Sequence, residues 1–110
     1  INRAVVEAMR ANNYDLREYL ARKWPEIGRN LVGKLHVYAS DVDAYYGNFA
    51  VPDLEEFMRT TRDPQGGGAF VYGPTGSRHT WQPVTHAEML REIARYIAVH
   101  APSGTAASKF

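Results

Sequence analysis

The sequence contains no cysteine among its 110 residues. Disulfide bonds, thiolate nucleophiles and thiolate metal sites are therefore all excluded, although the cellular compartment stays open. The formal net charge is only +1, with basic residues interspersed among acidic ones, so nothing indicates a nucleic-acid partner. No apolar run approaches the roughly 20 residues of a membrane-spanning helix. No signal-peptide pattern is present, but the first residue is Ile1 rather than methionine, so no localisation is predicted.

The first 30 residues are predicted to form a helical segment. Val5, Val6 and Met9 recur at helical spacing, and Asp15 precedes Glu18 by the three positions of a capping box. Pro25 is predicted to end the second helix, because proline lacks the N–H that a helix interior needs. A seam near residue 30 separates this segment from the rest of the chain.

Residues 31–102 are predicted to form a βαβα unit, followed by a flexible tail over residues 103–110. The apolar pattern indicates strands at 34–39 and 69–72, with a helix at 50–62 between them. Thr85 and Glu88 form a capping-box pattern that predicts the start of the last helix. Its predicted inner stripe consists of Leu90, Ile93, Ala94 and Ile97.

The βαβ order places two polar loops at one edge of the sheet. Strands joined by a helical crossover run parallel, so both end at the same edge. The loop with Asp41 and Asp43 should therefore face the loop with His79. A carboxylate beside a histidine can orient the imidazole while its other nitrogen moves a proton. The alternative is that the aspartates are turn residues and the histidine a solvated side chain.

Other uses of the acidic loop fit less well. Counted from Asp41, a calcium loop of the EF-hand type would need glycine and glutamate where Tyr46 and Pro52 stand. A phosphate-receiving carboxylate is conceivable, but no companion lysine lies in a comparable loop. The glycines of "GGG" and "GPTGS" lack the lysine and spacing of a phosphate-binding loop and indicate turns. Neither a cofactor nor a metal is predicted.

The stretches "LVGKLHVYASDVDAYYGNFAVPDLEEFM" and "GPTGSRHTW" resemble the C-terminal part of α/β-hydrolases of the esterase type. The resemblance covers about residues 30 to 100 and implies an α/β fold with two parallel strands and flanking helices. It also implies a Ser-Asp-His triad that acts on small-molecule or polymer esters. Asp43 would be the triad acid and His79 the general base, while Asp41 shapes the loop. Trp81, Tyr45 and Tyr46 would lie near the substrate.

The sequence departs from this family in one decisive respect. It contains no G-x-S-x-G, and neither Ser40 nor Ser77 has the paired glycines of a nucleophile elbow. The oxyanion-hole loop is also missing, so the chain alone is expected to be inactive, with its nucleophile in a longer hydrolase chain. The alternative function is a non-catalytic α/β interaction module. The isolated chain is expected to self-associate through an exposed strand edge.

Overall fold

The computed structural model describes residues 2–102 as four helices, two strands and one helical turn. The predicted tail at 103–110 lies outside the described residues. In chain order the elements are α1 (Arg3–Ala11), α2 (Leu16–Ile27), a 3₁₀ turn (Gly28–Asn30), β1 (His36–Ala39), α3 (Gly47–Thr60), β2 (Ala69–Tyr72) and α4 (His86–His100).

The two strands form a parallel sheet, with α3 as the crossover between them. His36 pairs with Ala69, and Ala39 pairs with Tyr72, which confirms the predicted βαβ order. The bounds of β2 agree with the prediction, whereas β1 begins two residues later than predicted. The difference arises because Lys34 donates its backbone N–H to the Leu31 carbonyl and so still belongs to the preceding turn.

Helix α3 begins three residues earlier than predicted and ends at Thr60. Tyr46 adopts the left-handed conformation, with φ at 63°, and its carbonyl accepts from the N–H groups of Phe49 and Ala50. The first turn therefore forms before Pro52, which lies inside the helix. A proline at that position leaves one helical hydrogen bond unmade.

Helix α2 also differs from the sequence prediction, because Pro25 does not end it. The helix continues to Ile27, and the N–H of Gly28 donates to the carbonyl of Trp24. That hydrogen bond spans the proline. At the other end the prediction is confirmed, since the Asp15 side chain accepts from the N–H of Glu18.

A small core joins α2 to the βαβ unit. Trp24 and Met58 are 6% and 1% exposed, and the Trp24 ring meets the Phe57 ring edge-on with centroids 5.6 Å apart. The indole Nε1 donates to the Pro64 carbonyl at 2.8 Å, so the buried N–H is satisfied. Residues from the N-terminal helical segment thus share their core with α3 and its following loop.

Helix α4 starts with the predicted capping box. The Thr85 side chain accepts from the N–H of Glu88, and the Glu88 carboxylate accepts from the N–H of Thr85. Tyr96 attaches the helix to the sheet region by donating its hydroxyl to the Gly33 carbonyl at 3.1 Å.

The predicted inner stripe of α4 is wrong for the part of the chain that the structure describes. Its large members are exposed: Leu90 by 66%, Ile93 by 48% and Ile97 by 58%. Ala94 is exposed as well. The contacts of α4 with the region of β1 are made by Tyr96, which meets Gly33 and His36, whereas the described residues leave the stripe largely uncovered. Helical periodicity identifies an apolar face and does not specify what covers it. None of the described helices combines the length and hydrophobicity that crossing a membrane requires.

Candidate functional site

The two loops that follow the strands are themselves paired. His36 in β1 pairs with Ala69, 33 residues later, whereas Val42 pairs with Arg78, 36 residues later. The second loop therefore contains three more residues than the first. Val42 donates its N–H to the Ser77 carbonyl at 2.8 Å, so a backbone contact resumes beyond the strand ends. The residues that follow this bridge are Asp43 and His79.

Asp43 and His79 form a hydrogen-bonded pair. The Nδ1 atom of His79 lies 3.0 Å from each carboxylate oxygen of Asp43. The predicted approach of these two side chains is confirmed. The Asp43 side chain is only 10% exposed, whereas that of His79 is 53% exposed. No residue within 2–102 forms a hydrogen bond with Nε2 of His79, so this nitrogen can meet an incoming group.

The surroundings of Asp43 favour its ionised form. The hydrogen bond from His79 lowers the pKa of this carboxyl below its ordinary value, and the backbone N–H of Tyr45 adds to the effect. That N–H donates to Oδ1 at 2.7 Å. The backbone of Gly47 contributes a smaller lowering. Asp43 is therefore a carboxylate at neutral pH, which is the state that an acceptor from Nδ1–H requires.

Asp41 makes different contacts from Asp43. Its Oδ2 accepts from the N–H of Gly76 at 2.8 Å, and its own N–H donates to the Ser77 hydroxyl at 2.9 Å. These bonds tie the acidic loop to the loop that carries His79. The structure thus agrees with the prediction that Asp41 shapes the loop, because its carboxylate binds the backbone of Gly76 rather than His79.

Two residues of the site were missed by sequence reasoning. The Ser77 hydroxyl accepts from the N–H of Asp41, and Gly47 leaves room for the Asp43 carboxylate. A Cβ at Gly47 would lie 2.8 Å from Oδ2 of Asp43, closer than such contacts allow. The signal for Gly47 was present in "DAYYGN", where a glycine follows the acid by four residues. The contact of Ser77 with Asp41 could be predicted only from the register between the two loops.

Of the three predicted aromatic residues, the structure brings one to the pair. The Tyr45 ring lies edge-on to the His79 ring, with centroids 4.7 Å apart. Tyr46 turns toward Phe49 instead, with centroids 6.3 Å apart. Trp81 is half-buried and packs near Gly73, where a Cβ would come within 2.7 Å of the indole. A substrate-binding role for Tyr45, Tyr46 or Trp81 stays a prediction.

The pair lies on an open edge of the described region. Two depressions of about 450 and 200 Å³ are formed elsewhere, and neither includes Asp43 or His79. The larger one lies among α1, α2 and α3 and is lined mainly by charged side chains: Arg10, Asp15, Arg17, Glu18, Asp53 and Glu56, with Ala50. Within residues 2–102 no three acidic or histidine side chains are grouped so that they could hold a metal ion.

No protein-family model, curated protein or solved structure matches this chain. The resemblance to α/β-hydrolases therefore rests on the quoted motifs. What the structure establishes is a mixed helix and strand architecture with two parallel strands, together with an acid–histidine pair at the carboxyl edge of those strands. These features are shared by several classes of α/β protein.

Proposed function

We propose that this chain supplies the acid and the histidine of a Ser-Asp-His triad in a carboxylic-ester hydrolase. The observation that carries the proposal is the Asp43–His79 pair, in which Nδ1 is held by a carboxylate while the ring stays half exposed. The pair lies where ligands bind in open α/β sheets, beyond the carboxyl ends of parallel strands. The order of acid before histidine also suits this enzyme class.

The chemistry follows from the two nitrogens of the imidazole. Nε2 of His79 takes the proton from a serine hydroxyl as its oxygen attacks the ester carbonyl carbon. Asp43 keeps Nδ1 protonated and stabilises the imidazolium that forms. The imidazolium then gives its proton to the departing alkoxide, and water repeats the attack on the acyl-enzyme. Each proton that His79 accepts is thus returned within the same half-reaction.

The nucleophile is proposed to come from residues outside these 110. Ser40 is only 4% exposed, and the Ser77 hydroxyl is occupied with the N–H of Asp41. Neither lies in a glycine-flanked elbow that would present its oxygen to a base. The substrate is proposed to be a small-molecule or polymer ester, whose identity depends on residues that surround the completed site.

A second candidate function is a non-catalytic α/β module that packs against a partner. The exposed apolar residues of α4, namely Leu90, Ile93 and Ile97, favour this alternative, because a contiguous apolar face usually marks a contact surface. In that case the acid–histidine pair would be structural. Substitution of His79 would then change association or stability and would not change a rate of ester hydrolysis.

Hydrolysis of a p-nitrophenyl ester separates the two candidates. In the longer polypeptide in which the proposal places this segment, His79→Gln should lower kcat/KM by about 10⁴-fold. His86→Gln is the matched control, because His86 is exposed at the start of α4, and it should retain activity. The isolated chain should hydrolyse the ester no faster than its own His79→Gln variant. Equal activity of the two histidine variants would contradict the proposal.

A further inference from the structure

Tyr45 touches the acid–histidine pair through two separate parts of the residue. Its backbone N–H donates to Oδ1 of Asp43 at 2.7 Å. Its ring lies against the His79 imidazole at 4.7 Å between centroids, with an angle of 65° between the planes. Any residue except proline could provide the first contact, but only an aromatic ring provides the second.

The imidazole of His79 needs such a contact because its other restraints are weak. The ring is half exposed, and the outer torsion of a histidine side chain has a broad energy minimum. Rotation about that torsion would exchange the Asp43 bond for a bond to water. The Tyr45 ring packs against the imidazole with an angle of 65° between the planes, and the rotation would break this contact.

Packing in the core does not explain the position of the Tyr45 ring, because this side chain is exposed. Tyr45 is 77% exposed, and its neighbour Tyr46 is 71% exposed. Both residues therefore leave most of an aromatic ring in contact with water. They differ in their neighbours, since Tyr45 meets His79 and Tyr46 meets Phe49.

We infer that Tyr45 is a positioning residue for His79: its ring holds the imidazole so that Nδ1 stays on Asp43 and Nε2 faces outward. The catalytic meaning of that orientation rests on the proposed function, whereas the orientation itself can be measured in this chain. The contact is made by the ring, so phenylalanine should replace tyrosine. Alanine keeps the backbone N–H to Asp43 and removes only the ring.

The tautomer of His79 reports this orientation directly. Two-bond ¹H–¹⁵N correlation spectra of the ¹⁵N-labelled chain distinguish the Nδ1–H from the Nε2–H form at about pH 8, where an ordinary histidine is neutral. A His79→Gln chain assigns the signals among the four histidines. The wild-type ring should be mainly Nδ1–H, because a carboxylate holds that proton.

Three variants then test whether the Tyr45 ring determines the tautomer of His79. In Tyr45→Ala the ratio of Nδ1–H to Nε2–H should fall about two- to tenfold, the range that an aromatic pair supplies. Tyr45→Phe and Tyr46→Ala should keep the wild-type ratio. A wild-type ratio in Tyr45→Ala, or an equal fall in Tyr46→Ala, would overturn the inference.

Failure of the inference and failure of the proposed function give different spectra. A wild-type His79 that is mainly Nε2–H contradicts the Asp43–His79 pair, and with it both proposals. A wild-type ring that is mainly Nδ1–H, with no change in Tyr45→Ala, overturns the positioning role alone. Loss of the folded amide spectrum in Tyr45→Ala would also overturn it, since the side chain would then support the fold at large.

Discussion

Val42 pairs with Arg78 in a parallel bridge beyond the ends of the two strands, and each is followed directly by one member of the acid–histidine pair. The bridge converts a long separation in sequence into a fixed separation in space. The hydrogen bonds that Asp41 makes with the backbone of Gly76 and the hydroxyl of Ser77 reinforce it. Backbone register, rather than the side chains alone, therefore determines that Asp43 meets His79.

Gly47→Ala should disturb the pair while leaving α3 intact. Alanine is the better helix former, but its Cβ would lie 2.8 Å from Oδ2 of Asp43, so the carboxylate must move. A displacement of about 1 Å at a catalytic group can cost about 100-fold in rate. We therefore expect a fall of that order in ester hydrolysis by the longer polypeptide, with unchanged circular dichroism. Asn48→Ala, one residue further along the same turn, should remain active.

The free energy of unfolding should depend on pH through the ionisation of Asp43. Because the folded-state pKa of this carboxyl is lowered from 3.8, its contribution is fully present above the unfolded pKa and is lost as the pH falls through the folded pKa. The free energy of unfolding should therefore decrease from about pH 5 downward. Denaturant titrations should show a shallower decrease for Asp43→Asn than for the wild type. A slope shared by the wild type and Asp43→Asn would count against the paired carboxylate.

Much of the supersecondary structure could be predicted from the sequence because local patterns determine it. The strand at 69–72 and the Thr85 capping box were identified from alternation and cap spacing, and both are observed. The parallel order followed from the intervening helix. The rule that parallel strands end at one edge predicted that the loop of Asp41 and Asp43 faces the loop of His79, and the resemblance to hydrolases selected Asp43 from the two acids.

The remaining details depend on contacts that local patterns do not encode. The passage of α2 through Pro25 depends on the Gly28 N–H reaching Trp24, and the early start of α3 depends on a left-handed Tyr46. The exposed stripe of α4 has the periodicity of a buried one, because amphipathicity specifies which face is apolar and not what covers it. The hydrogen bond between the Ser77 hydroxyl and the Asp41 N–H depends in the same way on the register between the two loops.

Trp24 should be the most sensitive position of the small core. Trp24→Ala removes the edge-on contact with Phe57 and the bond to the Pro64 carbonyl, and should lower the free energy of unfolding by about 3–5 kcal/mol. Trp24→Phe should cost less, because an aromatic ring is retained and only the N–H is lost. Leu16→Ala is the control, since Leu16 is 70% exposed. Equal denaturation midpoints for Trp24→Ala and Leu16→Ala would refute this account of the core.

Self-association should involve the outer edge of β1. The N–H groups of Ala69 and Gly73 donate to the carbonyls of Leu35 and Ala39, so the peptide N–H of His36 points away from β2. Among residues 2–102 no further strand pairs with this edge, and an exposed strand edge pairs readily with a second copy. Light scattering should show concentration-dependent association of the wild type.

Substitutions at His36 test the edge itself. His36→Pro removes the outward N–H without touching the β1–β2 bonds, and should leave a monomer. His36→Ala loses the same side chain but keeps the N–H, and should still associate. A wild-type chain that stays monomeric at all concentrations, or a proline variant that associates equally well, would exclude pairing through this edge.

The most direct test of the central claim is fluorophosphonate labelling of the longer polypeptide, followed by mapping of the labelled peptide. If Asp43 and His79 activate a serine supplied by another part of the protein, the label should lie outside residues 1–110. Its rate of attachment should fall by about 10⁴-fold in His79→Gln and stay unchanged in His86→Gln. A label on any of the four serines of this chain, or a labelling rate that does not respond to His79→Gln, would contradict the account.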